Sequence, residues 1–231
     1  PQNVDHIDLA VVSPGVPLDL PFILKLKEEN IEVIGEVELA YRLSKNPKFV
    51  GITGTNGKTT TTSLVGEIFK ADNKDTYIVG NIGNPVIDTV ELTNEDSYLI
   101  TELSSFQLES KVASILNSSP DHLNRHHTME NYIAAKANIF KNQDENDFAI
   151  LNYDDMEVRK LAPKCKGQII FFSRKEKLEK GVYLDENNNI VIHIDEKIVL
   201  LNKKELSLPG NHNLENCMAA IAMAYVCNIN L

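Results

Sequence analysis

The sequence predicts an α/β protein with a mostly parallel sheet covered on both faces, and three observations carry that reading. Short apolar runs alternate with amphipathic segments along most of the chain. One run feeds a glycine-rich loop that opens a helix, and strict residue-by-residue alternation appears only late, between residues 181 and 208. With 231 residues, 42% of them hydrophobic, the chain can bury a sizeable core in one large domain or two modest ones.

In chain order, "HIDLAVVSPG" is an apolar run stopped by proline and glycine, so it reads as a strand. "LPFILKLKEENIEVIG" follows as an amphipathic helix and a second strand, completing a βαβ fragment. "EVELAYRLSKNPK" is a helix with a polar break, and a new unit opens near Phe49. There "FVGIT" is rich in β-formers and leads through the glycine loop into the helix "TTTSLVGEIFKA". Further strands are predicted at "TYIVG", "SYLITEL", "VASIL", "FAILN" and "QIIFF", with helices around Tyr132 to Phe140 and Asp155 to Leu161. "GVYLDENNNIVIHIDEKIVLL" alternates around a "DENNN" turn and reads as antiparallel hairpins.

Composition excludes several classes. A net charge of -10 without a Lys/Arg cluster argues against a general nucleic-acid surface, so an anionic ligand needs a local pocket. Cys165, Cys217 and Cys227 are scattered, which indicates neither a disulfide framework nor a zinc site and suits a reducing cytoplasm. No run approaches the roughly 18 apolar residues of a membrane helix, and "PQNVDHIDLA" lacks the pattern of a signal peptide.

"GITGTNGKTT" holds the main chemical signal, with Lys58 and Thr59 behind Gly57 at the mouth of a helix. Backbone N–H groups and the positive helix end then point at one spot, where phosphate binds well. Lys58 would reach the β and γ phosphates, Thr59 would offer a hydroxyl to Mg2+, and Gly54 and Gly57 would let the backbone approach. Counted from Gly51, the glycine spacing is one residue too long for the usual phosphate loop, which leaves a solvated turn capped by threonines as the competing reading.

A metal-dependent phosphate site also needs a carboxylate at the end of another strand. Glu102 in "SYLITELSSFQLES" occupies such a place, whereas Ser104 and Gln107 read alone as helix-start residues. In "PDHLNRHHTMENY", His122 could bind a metal or orient substrate, while His126 and His127 read as loop residues. Lys136 lies on the helix "ENYIAAKANIF", where Ile133, Ala137 and Phe140 mark the buried face, and a lone helix lysine is ordinarily a solvated charge.

Together, "GITGTNGKTTTT", "GNIG", "ELSSFQLE", "DHLNRH", "YIAAK" and "PGNHNLENCMAA" resemble, in order and spacing, the Mur ligases that build the peptide of bacterial cell-wall precursors. Within that family "ELSSFQLE" is similar to members that join D-glutamate to UDP-N-acetylmuramoyl-L-alanine. The resemblance resolves the glycine spacing, because the family loop is G-T-N-G-K-T and begins at Gly54. It implies an ATP loop of Gly54, Thr55, Asn56, Gly57, Lys58, Thr59 and Thr60, with adenine contacts from Asn213 and Asn216. It implies Mg2+ at Thr59, Glu102, His122 and Lys136, the last as an N6-carboxylated lysine, and places Lys58, Glu102, His122 and Lys136 at the chemistry. Gly15, Asn81, Ser104, Gln107 and His122 are the implied contacts to the UDP-sugar substrate.

Two positions depart from the family pattern: Asn124, where Asp is frequent, and Ser118, where an apolar residue is usual. The implied architecture is the end of a Rossmann-like UDP-substrate domain over 1–40 and a central P-loop ATPase-like domain over 41–231 with the hairpin extension. The family's C-terminal, D-glutamate-binding domain is expected to be absent, so the chain is expected to be a fragment of a monomeric cytoplasmic enzyme, inactive alone. A related Mur or folylpolyglutamate-type ligase and a non-catalytic nucleotide-binding module are the alternatives.

Overall fold

The computed structural model describes residues 6–13, 16–103, 110–119 and 128–231. Two sheets organise them. The smaller pairs β1 (Leu9–Val12) with β2 (Glu32–Gly35) in parallel, joined through α1 (Pro21–Glu28). Proline opens α1, where its missing N–H costs nothing, and Ile23 and Leu26 turn inward with Val12 to form a small apolar cluster. α2 (Glu36–Leu43) follows β2 directly, but its buried Val37 and Ala40 join the core of the larger sheet.

Nine strands make that larger sheet. They are β3 (Lys48–Thr53), β4 (Thr76–Gly80), β5 (Tyr98–Glu102), β6 (Val112–Ile115), β7 (Phe148–Asn152), β8 (Gln168–Ser173), β9 (Gly181–Leu184), β10 (Asn189–His193) and β11 (Lys197–Asn202). Their spatial order is β11-β10-β9-β8-β7-β6-β3-β5-β4, parallel from β4 to β9 and antiparallel from β9 to β11. The predicted mixed α/β class, the parallel sheet and the late antiparallel hairpins are therefore present. The parallel step from β8 to β9 uses only residues 174–180 and no helix. β9 starts beside the last residues of β8, pairing Val182 with Phe172 and Tyr183 with Ser173, so the chain need not return along a whole strand.

Side chains alternate across the sheet and feed separate cores on its faces. Val50 and Ile52 of β3, Ile100 of β5 and Ile150 of β7 face α3 (Lys58–Ala71) and α7 (Asn211–Val226). Phe49, Leu99, Ala149 and Leu151 face the opposite way, toward α2 and α4 (Val86–Val90). Strands buried on both faces explain the near-continuous apolar runs in the sequence. Phe69 of α3 meets Tyr98 edge-on at 4.9 Å between ring centres, a geometry worth about 0.5–1.5 kcal/mol beyond area burial. Gly66 lets α3 lie close to β4, since a Cβ there would meet Ile78 Cδ1 at 2.5 Å.

The remaining helices are short. α5 (Met129–Ala137) begins at Thr128, whose hydroxyl accepts from the Asn131 N–H at 3.2 Å, and it passes into a 3-10 turn over Asn138–Phe140. α6 (Met156–Arg159) is shorter than the sequence predicts, with Asp155 as its cap. Among the described residues no helix is long and apolar enough to cross a membrane.

Candidate nucleotide-binding site

β3 delivers the glycine loop to the carboxyl edge of the sheet. Gly51 sits inside the strand, where a Cβ would meet Ser110 Oγ at 2.6 Å, so its role is close packing. The loop itself runs from Gly54 to Gly57. Gly57 adopts φ 83°, a left-handed conformation, and a Cβ there would also strike the side-chain oxygen of Asn216. α3 starts at the next residue, so helix geometry leaves the N–H groups of Lys58, Thr59 and Thr60 without intrahelical acceptors, at the positive end of the helix. Lys58 folds back onto the loop, its Nζ donating to the carbonyls of Gly54 at 3.1 Å and Thr55 at 3.0 Å.

Glu102 ends β5, in register with Ile52 of β3 and Gly80 of β4. It is 5% exposed, yet its Oε2 accepts from the Thr59 hydroxyl at 2.9 Å. The predicted strand-end carboxylate and loop hydroxyl are thus in direct contact. Gly80, at φ 103°, lets the chain turn against Glu102, and the Asn81 N–H donates to the Glu102 carbonyl at 3.1 Å. Asn81 is exposed at the same edge.

Lys136 contradicts the solvated reading of a lone helix lysine. It is 3% exposed, its Nζ donates to the Gly54 carbonyl at 3.0 Å, and it lies 4.5 Å from the centre of the Tyr132 ring. The helical spacing that puts Tyr132 and Lys136 one turn apart turns both toward the loop. Tyr132 shares a hydrogen bond of 3.2 Å with the Thr55 hydroxyl. A buried amine is tolerable here because a carbonyl and an aromatic face replace water.

At the start of α7, Asn216 is buried against Gly57, while Asn213 is partly exposed and its amide donates to the Pro209 carbonyl at 2.7 Å. Gly15, Ser104, Gln107, His122, Asn124, His126 and His127 lie outside the described residues. Ser118 is described: its N–H donates to Asp155 Oδ2 at 2.7 Å, linking the end of β6 to the cap of α6. Among the described residues no group of three or more His, Cys, Asp or Glu side chains could hold a metal ion.

Asn117 is a residue that the sequence does not single out. Its Oδ1 accepts from the Asn56 N–H at 2.8 Å, its Nδ2 donates to the Asn56 carbonyl at 2.9 Å, and its own carbonyl accepts from the Thr55 N–H at 3.1 Å. No local pattern marks such a residue, because its partner Asn56 lies 61 positions away and Thr55 one further. Its one cue is a place just beyond a strand at the active edge.

A parallel sheet, a glycine loop opening a helix and a carboxylate at the adjoining strand end define a P-loop-type α/β protein. The model of the Mur ligase middle domain matches residues 52–224, and the chain belongs to the Mur ligase family. It is similar to the UDP-N-acetylmuramoylalanine–D-glutamate ligase of Clostridioides difficile, 68% identical over 237 aligned positions that take in 100% of this chain and 52% of that one. The ligase of the same name from Alkaliphilus metalliredigens is 52% identical over 235 positions, covering 99% of this chain and 51% of that one. The chain thus spans about half the length of the curated relatives it matches. Among solved structures, UDP-N-acetylmuramoyl-L-alanyl-D-glutamate–2,6-diaminopimelate ligase superposes with a TM-score of 0.67 at 19% identity, over 96% of this chain and 57% of that one, a likeness of fold.

Proposed function

We propose that the protein containing this chain is an ATP-dependent ligase that adds D-glutamate to UDP-N-acetylmuramoyl-L-alanine in the bacterial cytoplasm. The reaction transfers the γ-phosphoryl group to the alanyl carboxylate, and the amine of D-glutamate then displaces phosphate from the acyl phosphate to form an amide. The observation that carries this reading is the hydrogen bond from Thr59 to Glu102, which joins the phosphate loop to the strand-end carboxylate. The 68% identity to a ligase of that name supports the choice of substrates.

The chain's own groups suit the ATP half of the work. The N–H groups at the start of α3 receive phosphate oxygens, and Lys58 exchanges the Gly54 and Thr55 carbonyls for the β and γ phosphates. Thr59 and Glu102 offer hard oxygen donors, which fit Mg2+. Bound there, Mg2+ supplies positive charge against the phosphate oxygens. Lys136 as a carbamate would keep one N–H for the Gly54 carbonyl and add an anionic carboxylate beside the metal. His122 completes the proposed metal set, Asn213 and Asn216 serve adenine, and Gly15, Asn81, Ser104 and Gln107 serve the UDP-sugar. On this reading residues 1–40 belong to the UDP-substrate domain and 41–231 to the ATP domain, the D-glutamate site lies elsewhere in a monomeric protein, and catalysis rests on positioning and charge.

Phosphate release by the full-length protein tests the reading. Dependence on both UDP-N-acetylmuramoyl-L-alanine and D-glutamate is expected. Release indifferent to both would overturn ligation in favour of a nucleotide-binding module.

A further inference from the structure

The glycine loop is held by a side chain that no phosphate-loop pattern contains. We propose that Asn117 is a positioning residue for the nucleotide phosphates, acting through the backbone of Asn56; this inference rests on the ATP-binding reading above. Its amide grips both polar groups of the Asn56 peptide at 2.8 and 2.9 Å, as a neighbouring strand would. The clamp is continuous with β6. The Leu116 N–H donates to the Thr53 carbonyl at 3.0 Å, the Asn117 carbonyl takes the Thr55 N–H at 3.1 Å, and the Ser119 N–H donates to the Thr55 hydroxyl at 3.1 Å.

This bonding has a consequence for the ligand. The N–H groups of Thr55 and Asn56 are consumed within the protein, so the phosphate cradle narrows to the donors from Gly57 onward. Gly57 itself is fixed between two asparagines, since Asn117 anchors the preceding residue and the Asn216 side chain packs where a Cβ would stand. Orientation of the cradle is thereby decided before nucleotide arrives, which lowers the ordering cost of binding. Asn117 touches the loop from outside and need not touch the nucleotide.

The test is direct titration of the full-length protein with ATP and, separately, with UDP-N-acetylmuramoyl-L-alanine, in wild type, Asn117→Ala and Asn117→Asp, with melting temperatures alongside. Asn117→Asp preserves size and one acceptor, which guards against a folding defect in the alanine variant. Expected is a loss of about tenfold or more in ATP affinity for Asn117→Ala and for Asn117→Asp, whose carboxylate keeps the acceptor for the Asn56 N–H but opposes the Asn56 carbonyl, with UDP-substrate affinity within about twofold of wild type. ATP affinity within about twofold of wild type in both variants would overturn the positioning role, as would equal weakening of both ligands. A wild type that binds no ATP would instead overturn the nucleotide-site reading on which the inference stands.

Discussion

The hairpin extension and the phosphate-loop edge both close polar turns at strand ends, but over very different chain distances. In the extension, Asp185 Oδ1 accepts from the N–H groups of Asn187 and Asn189 at 2.9 and 2.8 Å, and Asn188 takes the left-handed conformation at φ 63°. Those partners lie within four residues. At the loop, Thr59 reaches Glu102 across 43 positions, Asn56 reaches Asn117 across 61, and Gly54 receives Lys136 across 82. A local turn forms from its own residues, whereas the loop takes its shape only when three other elements have packed around it. Damage at the first should therefore stay local, and damage at the second should spread to ligand binding.

The largest expected effect is at Lys136. Lys136→Ala should lower ligation by the full-length protein at least about a hundredfold if the proposed carbamate role holds, because it removes the buried side chain that reaches the phosphate loop at the Gly54 carbonyl. Small carboxylates added to that variant should restore part of the rate if the lysine works as a carbamate. Near-normal phosphate release would refute the assignment and make Lys136 a purely structural partner of the Gly54 carbonyl.

Gly57→Ala comes next. The left-handed backbone and the clash with Asn216 together should cost about 1–3 kcal/mol of stability, read as a lowered denaturant midpoint. ATP affinity should fall with it. A variant that keeps both would mean the loop is remoulded easily and the contrast with the hairpin is wrong.

Asp185→Ala should act on the hairpin alone, lowering the melting temperature modestly and leaving ATP affinity unchanged. Its carboxyl is held below the ordinary 3.8, first by the Asn189 backbone N–H and then by the Asn189 side chain. The linked stability is present above that ordinary value and is lost as pH falls through the lower, folded one. A fall in ATP affinity for this variant would mean that the hairpin and the loop are coupled rather than independent.

The cysteines give the smallest effect and belong to neither region's turn chemistry. Burial pushes the Cys165 thiol up to about 11 and the Cys227 thiol up to about 12, from an ordinary 9.0. Each favours the neutral thiol in the fold, so its contribution is intact below pH 9 and declines as pH rises toward the folded values. Thermal melts from about pH 8 to 11 should show a slow loss that Cys227→Ser reduces.

Legibility in the sequence follows the same division of distances. The strand-helix alternation, the helix after the loop and the "DENNN" turn are readable because propensity, period and turn chemistry act within a few residues. Gly51 separates from the working loop only through the family pattern, and the structure gives the physical reason, a strand glycine packed against Ser110. Glu102 is readable because a strand-end acid beside such a loop has a place in α/β topology. Lys136 reads wrongly on local grounds: its burial depends on Tyr132 and the Gly54 carbonyl, which periodicity does not report. Asn117 carries no signal beyond its place just past a strand end.

Sequence alone determined the class of fold and the residue types able to serve the loop, since these are written in local spacing, while the start of the loop at Gly54 came from the family pattern. Tertiary structure decided which of them meet. It put Thr59 on Glu102, turned Lys136 inward, and spent the Thr55 and Asn56 N–H groups on Asn117. The physical reason is that buried polar groups must find partners, and in a parallel sheet those partners arrive from strands and helices far apart in the chain.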